Sequence, residues 1–416
     1  MKTDAETWLT PKRLRAHGLL FALTLWGVYV WTIATPGLRD RNGNLKGTDF
    51  LHFYVLGSLA AEHRGADLYD MNAQAALAAQ RVPDAAGIRY LPLYPPQVSV
   101  FFVPLASLSY GSALVAWWIC SAALYGLCCY WIWRACPNLR DRGGTVALLA
   151  GASPAFFNLI AWGQTSAMAL ACFTTMYFLL RDRREFIAGL ALGCLIFKPQ
   201  LGLAAAVVFT AIGAWKILAG AAVSSAAQLA LAAFYYGMEP LRRWLGMLWN
   251  VRALLPWLEP KPYQTHCLRT FWTMIVPWPA FSFVLYTASA AMILVATVWL
   301  WRRGQSLALR YSALMLATVL VAPHLTVYDL VVLVPAILLL ADWLIGNQSS
   351  RDFRYAGTLL YLVYALPLLG ILARYTHVQL SVVAMVALVI IIARLSADAI
   401  PNPDMRMESI SAIAPR

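Results

Sequence analysis

Charge is scarce in this chain: 12% of its 416 residues are Asp, Glu, Lys or Arg, whereas 61% are hydrophobic, and the mean hydropathy is +0.64. That balance excludes an ordinary water-soluble domain. Walker A, dinucleotide-type glycine, HExxH and GxSxG patterns are missing, which counts against ATPases, dehydrogenases, metalloproteases and α/β-hydrolases. The seven cysteines show no CxxC spacing, and most fall within apolar runs. Neither a zinc site nor a disulfide framework is therefore expected, and no metal or cofactor is assigned. Internal repeats and low-complexity segments are also lacking.

What the chain has in abundance is long apolar runs, recurring from residue 17 to residue 395. Each crossing of a hydrocarbon core takes roughly 20 residues at the helical rise. The runs are rich in Leu, Ala and Val and do not alternate as barrel strands would, so an all-α polytopic membrane protein is expected. The first run follows Lys2, Lys12, Arg13 and Arg15, which reads as an uncleaved anchor with a cytoplasmic N-terminus. Placing the basic clusters Arg134/Arg140/Arg142, Arg181/Arg183/Arg184, Lys216, Arg302/Arg303/Arg310 and Arg351/Arg354 inside as well requires about twelve crossings and cytoplasmic termini. Several of these spans are short: 145–160, 164–180, 186–197, 201–215 and 309–322. The Val98 to Ser109 piece, interrupted by Pro104, is then a re-entrant or interfacial element. Residues 1–396 form one transmembrane domain in this reading, and 397–416 a disordered cytoplasmic tail.

Two large segments, 37–96 and 237–280, fall on the non-cytoplasmic side, and an active site is expected between them. Phe50 to Arg64 and Asp67 to Gln80 read as amphipathic stretches lying flat on the membrane. Segment 237–280 combines Arg242, Arg243, Arg252, Lys261 and Arg269 with Trp244, Trp249, Trp257 and Trp272, a mixture suited to the membrane interface. Topology explains the basic cytoplasmic turns and most of the net charge of +13, so nucleic-acid binding is not expected. It does not explain positive charge outside. There the excess implies an anionic ligand, either a polyprenyl phosphate head group or anionic phospholipid.

Acids concentrate ahead of the Val98 element, and Asp49, in Gly47-Thr48-Asp49-Phe50-Leu51-His52-Phe53-Tyr54, is the candidate catalytic acid. Its plain structural reading is an N-cap for the following helix, which would make the carboxylate a weaker base. Only Asp329, Asp342 and Lys198 fall within or between spans. That is meagre provision for the ion coupling of a transporter or flippase, the principal alternative to an enzyme. A non-catalytic membrane scaffold is the third possibility.

The order TDFLHFY at 48–54, LYD at 68–70, YPP at 94–96, WGQTSAM at 162–168, FKPQ at 197–200 and APHLTVYDL at 322–330 resembles glycosyltransferase family 87, within the GT-C superfamily of integral membrane glycosyltransferases. Its members include a polyprenyl-phosphate-mannose-dependent mannosyltransferase of glycolipid synthesis. The resemblance spans nearly the whole chain and implies a GT-C fold in a bacterial inner membrane, with an active site facing the exterior. It also implies inverting, metal-independent transfer of a sugar, mannose by family expectation, from a polyprenyl-phosphate donor to a lipid or glycan acceptor. Asp49 matches the general base proposed for such enzymes, taking the acceptor's proton. His324 and Lys198 match residues expected near the donor phosphate, where Arg269 and Arg252 of the outer basic loop are also placed. His52, Tyr54, Gln164 and Tyr328 are candidate substrate contacts, and Asp329 and Tyr328 candidate supports for His324. Each also has a structural reading: a snorkelling or helix-end role for Lys198 and His324, a helix cap for Gln164, and packing between helices for Asp329 and Tyr328.

Overall fold

A computed structural model describes residues 9–250, 253–254, 259–347 and 352–398. Arg252, Trp257, Arg351 and the tail beyond Asp398, all read above from sequence, lie outside the described residues. Among the described residues the chain is helical and forms no strand, with isolated bridges between Arg39 and Leu45 and between Thr265 and Thr326.

The helices begin and end on recognisable signals. α1 (Pro11–Ile33) starts with Pro11 behind Thr10, whose hydroxyl accepts from the Arg13 amide at 3.3 Å, a capped proline start. Its Leu23 is 73% exposed and Trp31 62%, as befits a helix that faces lipid rather than a protein core. Among the described residues seven helices are long and apolar enough to cross a membrane. After α1 come Tyr110–Arg134, Trp215–Tyr236, Pro279–Arg302, Val327–Gly346, Tyr355–Thr376 and Leu380–Ala397. A bent pair, Pro137–Gly151 with Pro154–Trp162, makes an eighth if it is a single span.

The other expected spans are helices too short for that role: Ser166–Arg181, Glu185–Phe197, Pro199–Ala211 and Leu307–Val321. All twelve expected segments are thus helical, but the structure supports seven or eight crossings by length and composition. Of the short helices, Leu307–Val321 is buried along most of its length, whereas Glu185–Phe197 and Pro199–Ala211 keep exposed apolar residues such as Ile187 and Leu203. The pair Glu185–Gly193 and Trp215–Tyr236 comes close enough that a Cβ on Gly189 would stand 2.0 Å from the Ile217 carbonyl oxygen, the small-residue contact that lets helix backbones meet in lipid.

The segment from Phe50 does not lie on the membrane surface as the sequence suggested. α2 (Phe50–Ala61) is buried at every residue from Phe50 to Ala60. Apart from His52 and Ser58 it is apolar on every side, and such a helix is drawn into a core. It packs on two short helices, Gln97–Phe101 and Val103–Ala106, with the rings of Phe53 and Phe102 stacked 4.9 Å apart. These two helices occupy the place of the proposed re-entrant element. Met71–Arg81 keeps one buried side, Gln74, Leu77 and Ala78, and is capped by Asp70, which accepts from the Asn72 and Ala73 amides.

The two polar segments between the long helices meet. The Trp244 indole donates to the Leu93 carbonyl at 3.1 Å, and Arg243 donates to that of Ala66 at 3.2 Å. A second clip ties the later segment to the end of Leu307–Val321: the His266 amide donates to Leu325 at 2.9 Å, beside the Thr265–Thr326 bridge.

Candidate active site

The clips enclose a cavity of about 670 Å³ bordered by Asp49, His52, Tyr90, Tyr94, Gln164, Lys198, Glu259, His324, Tyr328 and Asp329. Six stretches of chain far apart in sequence therefore supply its walls. Its size lies within the range of small-molecule sites.

Asp49 owes its position to the end of Pro154–Trp162. That helix stops at Gly163, whose φ of 71° is left-handed and favours glycine. A Cβ there would stand 2.6 Å from the Cβ of Phe50. The close approach lets the Asp49 amide donate to the Trp162 carbonyl at 3.0 Å, while the Trp117 indole donates to Gly163 at 2.9 Å. The next residue, Gln164, then sits beside Asp49 and donates from Nε2 to its carboxylate at 2.7 Å.

Asp49 occupies the N-cap position of α2 but makes no side-chain cap. Its carboxylate is not spent on backbone amides, and the plain capping reading fails for that reason. Burial, only partly offset by the Gln164 hydrogen bond and the nearby Lys198 charge, raises its pKa to about 6. Gln164 is thus tied to Asp49 rather than capping a helix, and its carbonyl accepts from the Tyr94 hydroxyl at 3.3 Å.

Lys198 stands at the break between the 3-10 turn Cys194–Phe197 and Pro199–Ala211. Its ammonium pairs with Asp329 at 2.7 Å and donates to the Ser166 hydroxyl at 3.0 Å. The Tyr328 ring lies 5.1 Å from it. Both charged side chains are nearly inaccessible, 5% and 4% exposed, and a pair so placed must stay matched, since removing one partner strands the other charge. Asp329 was expected to support His324; it supports Lys198 instead.

His324 has a different partner. Its Nδ1 lies 2.7 Å from the Glu259 carboxylate, and because a carboxylate only accepts, Nδ1 carries the proton. Arg269 ion-pairs with the same carboxylate and donates to the Pro323 carbonyl, while the Thr270 hydroxyl donates to Glu259 at 3.1 Å. Burial opposes ionisation of Glu259, but His324 and Arg269 outweigh it and hold the carboxyl below its ordinary range. Arg269 therefore does not line the cavity, contrary to its expected place at a donor phosphate. Its guanidinium is consumed by Glu259 and the Pro323 carbonyl.

His52 reaches the cavity with its ring 5.1 Å from that of Tyr90 and 5.8 Å from that of Tyr94. Burial pushes its pKa down to about 4, with the Gln74 amide beside it, so the ring is neutral at physiological pH. Tyr54 points elsewhere: it is 3% exposed, donates to the Leu108 carbonyl at 2.9 Å and packs on Tyr110. At helical spacing, five residues from Asp49, it falls on another face of α2, and a substrate contact is ruled out by that geometry.

Sequence reasoning passed over Arg89, Tyr90 and Glu259 on the cavity wall, whereas Lys261 was counted in the outer basic segment. Arg89 and Lys261 are exposed at its wall and make no ion pair among the described residues. Tyr90 donates to the Thr48 carbonyl and so braces the residue before Asp49. A cation outside the side where topology requires it was the available signal for Lys261; the Glu259 contact has no local signature. Among the described residues no group of three or more His, Cys, Asp or Glu is arranged to hold a metal ion.

The arrangement places an uncapped carboxylate at one part of the cavity and cationic or hydrogen-donating groups at others. That is a layout for deprotonating one group while stabilising negative charge on another. No curated protein and no solved structure matches the chain. The family model for glycosyltransferase family 87 matches residues 93–323, more than half of the chain, taking in Gln164, Lys198, Glu259 and Arg269 and ending one residue before His324. On that match this multi-pass, all-α membrane protein belongs to glycosyltransferase family 87.

Proposed function

We propose that the protein transfers a sugar, mannose by family expectation, from a polyprenyl-phosphate donor to a lipid or glycan acceptor, at the non-cytoplasmic face of a bacterial inner membrane. The fold in this reading is of GT-C type. The observation that carries it is Asp49: a carboxylate on the cavity wall, held by Gln164 and free of backbone capping, with its pKa raised to about 6. At pH 7 such a group is mostly ionised yet basic enough to accept a proton.

In the proposed step the acceptor hydroxyl gives its proton to Asp49 as its oxygen bonds to the anomeric carbon. The bond from that carbon to the phosphate oxygen breaks on the opposite face, and the electron pair leaves with the phosphate. Attack opposite the leaving group inverts the anomeric centre. The departing anion needs no proton if cations hold it. Lys198 and His324 on the cavity wall, with Arg89 and Lys261, are the groups assigned to that task. His52 and Tyr328 remain assigned to substrate, while Gln164, held between Asp49 and Tyr94, acts through the Asp49 carboxylate. Arg269 acts one step removed, by fixing Glu259.

A transporter is less well supported. Lys198 and Asp329 form a closed pair rather than the start of a relay.

The test is transfer by the purified protein from radiolabelled polyprenyl-phosphate-mannose and, separately, from a nucleotide-linked mannose, to extracted host lipids and glycans. The expected result is product of inverted configuration from the lipid-linked donor alone. Product from the nucleotide sugar alone would overturn the reading.

A further inference from the structure

We propose that Glu259 is a positioning residue that holds His324 as a two-sided hydrogen-bond donor, Nδ1 to its own carboxylate and Nε2 to the phosphate of a polyprenyl-phosphate ligand. The inference rests on the lipid-phosphate reading and names the group that makes His324 fit for it.

Four observations carry it. Glu259 takes Nδ1 at 2.7 Å, so Nε2 is the ring nitrogen left for a ligand in the cavity that His324 lines. Glu259 is itself fixed, receiving Arg269 and the Thr270 hydroxyl as well. Arg269 also grips the Pro323 carbonyl, the peptide next to His324, so the ring and its partner are held by one clasp. The clasp is largely buried: the side chains of Glu259, His324 and Arg269 are 8%, 15% and 14% exposed.

An imidazole between two anionic acceptors satisfies both only when each nitrogen carries a proton. With Glu259 on one side and phosphate on the other, the ring in the complex is the imidazolium, and both its hydrogen bonds are charge-assisted.

The experiment measures binding of polyprenyl phosphate to the full-length protein in nanodiscs between pH 5.5 and 9, for wild type, Glu259→Gln, His324→Ala and the double variant. Gln can keep an acceptor toward Nδ1, so Glu259→Gln isolates the charge. It should weaken binding on the order of 10- to 100-fold, the size of a charge-assisted hydrogen bond. Glu259→Asp should recover part of the affinity. In the His324→Ala background Glu259→Gln should cost little more, because the two act as one unit.

Wild-type affinity in Glu259→Gln, or losses that simply add in the double variant, would overturn the inference while leaving the lipid-phosphate reading intact. A wild type that binds no polyprenyl phosphate at any pH would overturn both. Should Glu259→Gln fail to fold, Arg269→Lys, which loosens the same clasp, must reproduce the loss of affinity, and an affinity unchanged from wild type counts against the inference.

Discussion

Replacing Gln164 with Leu removes the single side-chain hydrogen bond to the candidate base, and its effect can be worked out in advance. Gln164 Nε2 lies 2.7 Å from Asp49 Oδ2, in a site where burial has already raised the Asp49 pKa to about 6. A donor stabilises the ionised carboxylate, so its loss raises the pKa further. A hydrogen bond to a charged group contributes roughly 1.5–3 kcal/mol, and 1.36 kcal/mol corresponds to a tenfold change in ionisation, so the acid limb should move by about 1 to 2 pH units. From about nine-tenths ionised at pH 7, Asp49 would fall to between about one-half and one-tenth.

The assay is kcat/KM for sugar transfer between pH 5.5 and 9, which reports the free enzyme. Gln164→Leu should lose about 2- to 10-fold at pH 7 and regain most of the wild-type value at pH 9. An acid limb that stays in place, or a loss of equal depth at pH 6 and pH 9, would refute the argument that Gln164 acts through the Asp49 carboxylate.

Two further predictions follow from the same geometry. Lys198→Met leaves Asp329 buried without its partner and should cost about 3–5 kcal/mol. Lys198→Met with Asp329→Asn should restore much of that stability without restoring transfer, as read by thermal unfolding and activity in detergent; a double variant no more stable than the single one would contradict the pairing. Gly163→Ala forces a side chain into a left-handed turn, at about 1–2 kcal/mol for the backbone alone, and drives a Cβ against Phe50. Transfer should fall further than the thermal midpoint implies, because the Asp49 amide is anchored at Trp162; a loss of stability alone would count against that coupling.

How far the site could be read from sequence depended on what kind of feature was at stake. Asp49, Gln164, Lys198, Tyr328 and His324 sit in short motifs separated by long apolar runs, and all five border one cavity. The class of fold was legible from the same runs. The number of crossings was not, because short apolar helices such as Pro199–Ala211 differ from membrane-length ones chiefly in length. The burial of α2 had a usable signal in its all-round apolar composition; reading Phe50 to Arg64 as amphipathic gave too much weight to His52 and the polar residues at its end.

Pairings between distant residues were beyond the reach of a single sequence. Nothing local indicates that Asp329 turns to Lys198, 131 residues away, rather than to His324 five positions before it, or that Glu259 meets His324 across 65 residues. The same limit misplaced Arg269, whose charge suited a phosphate until Glu259 claimed it. Tyr54 failed for a simpler reason, since helix periodicity alone turns it away from Asp49.

The most direct test of the account compares wild type with Asp49→Asn in transfer of radiolabelled sugar from polyprenyl-phosphate-mannose, with both proteins shown by thermal unfolding to be folded. Loss of a positioned general base should lower turnover by about 10²- to 10⁴-fold. Folded Asp49→Asn protein that transfers sugar within tenfold of wild type would contradict the central claim and remove Asp49 from the mechanism.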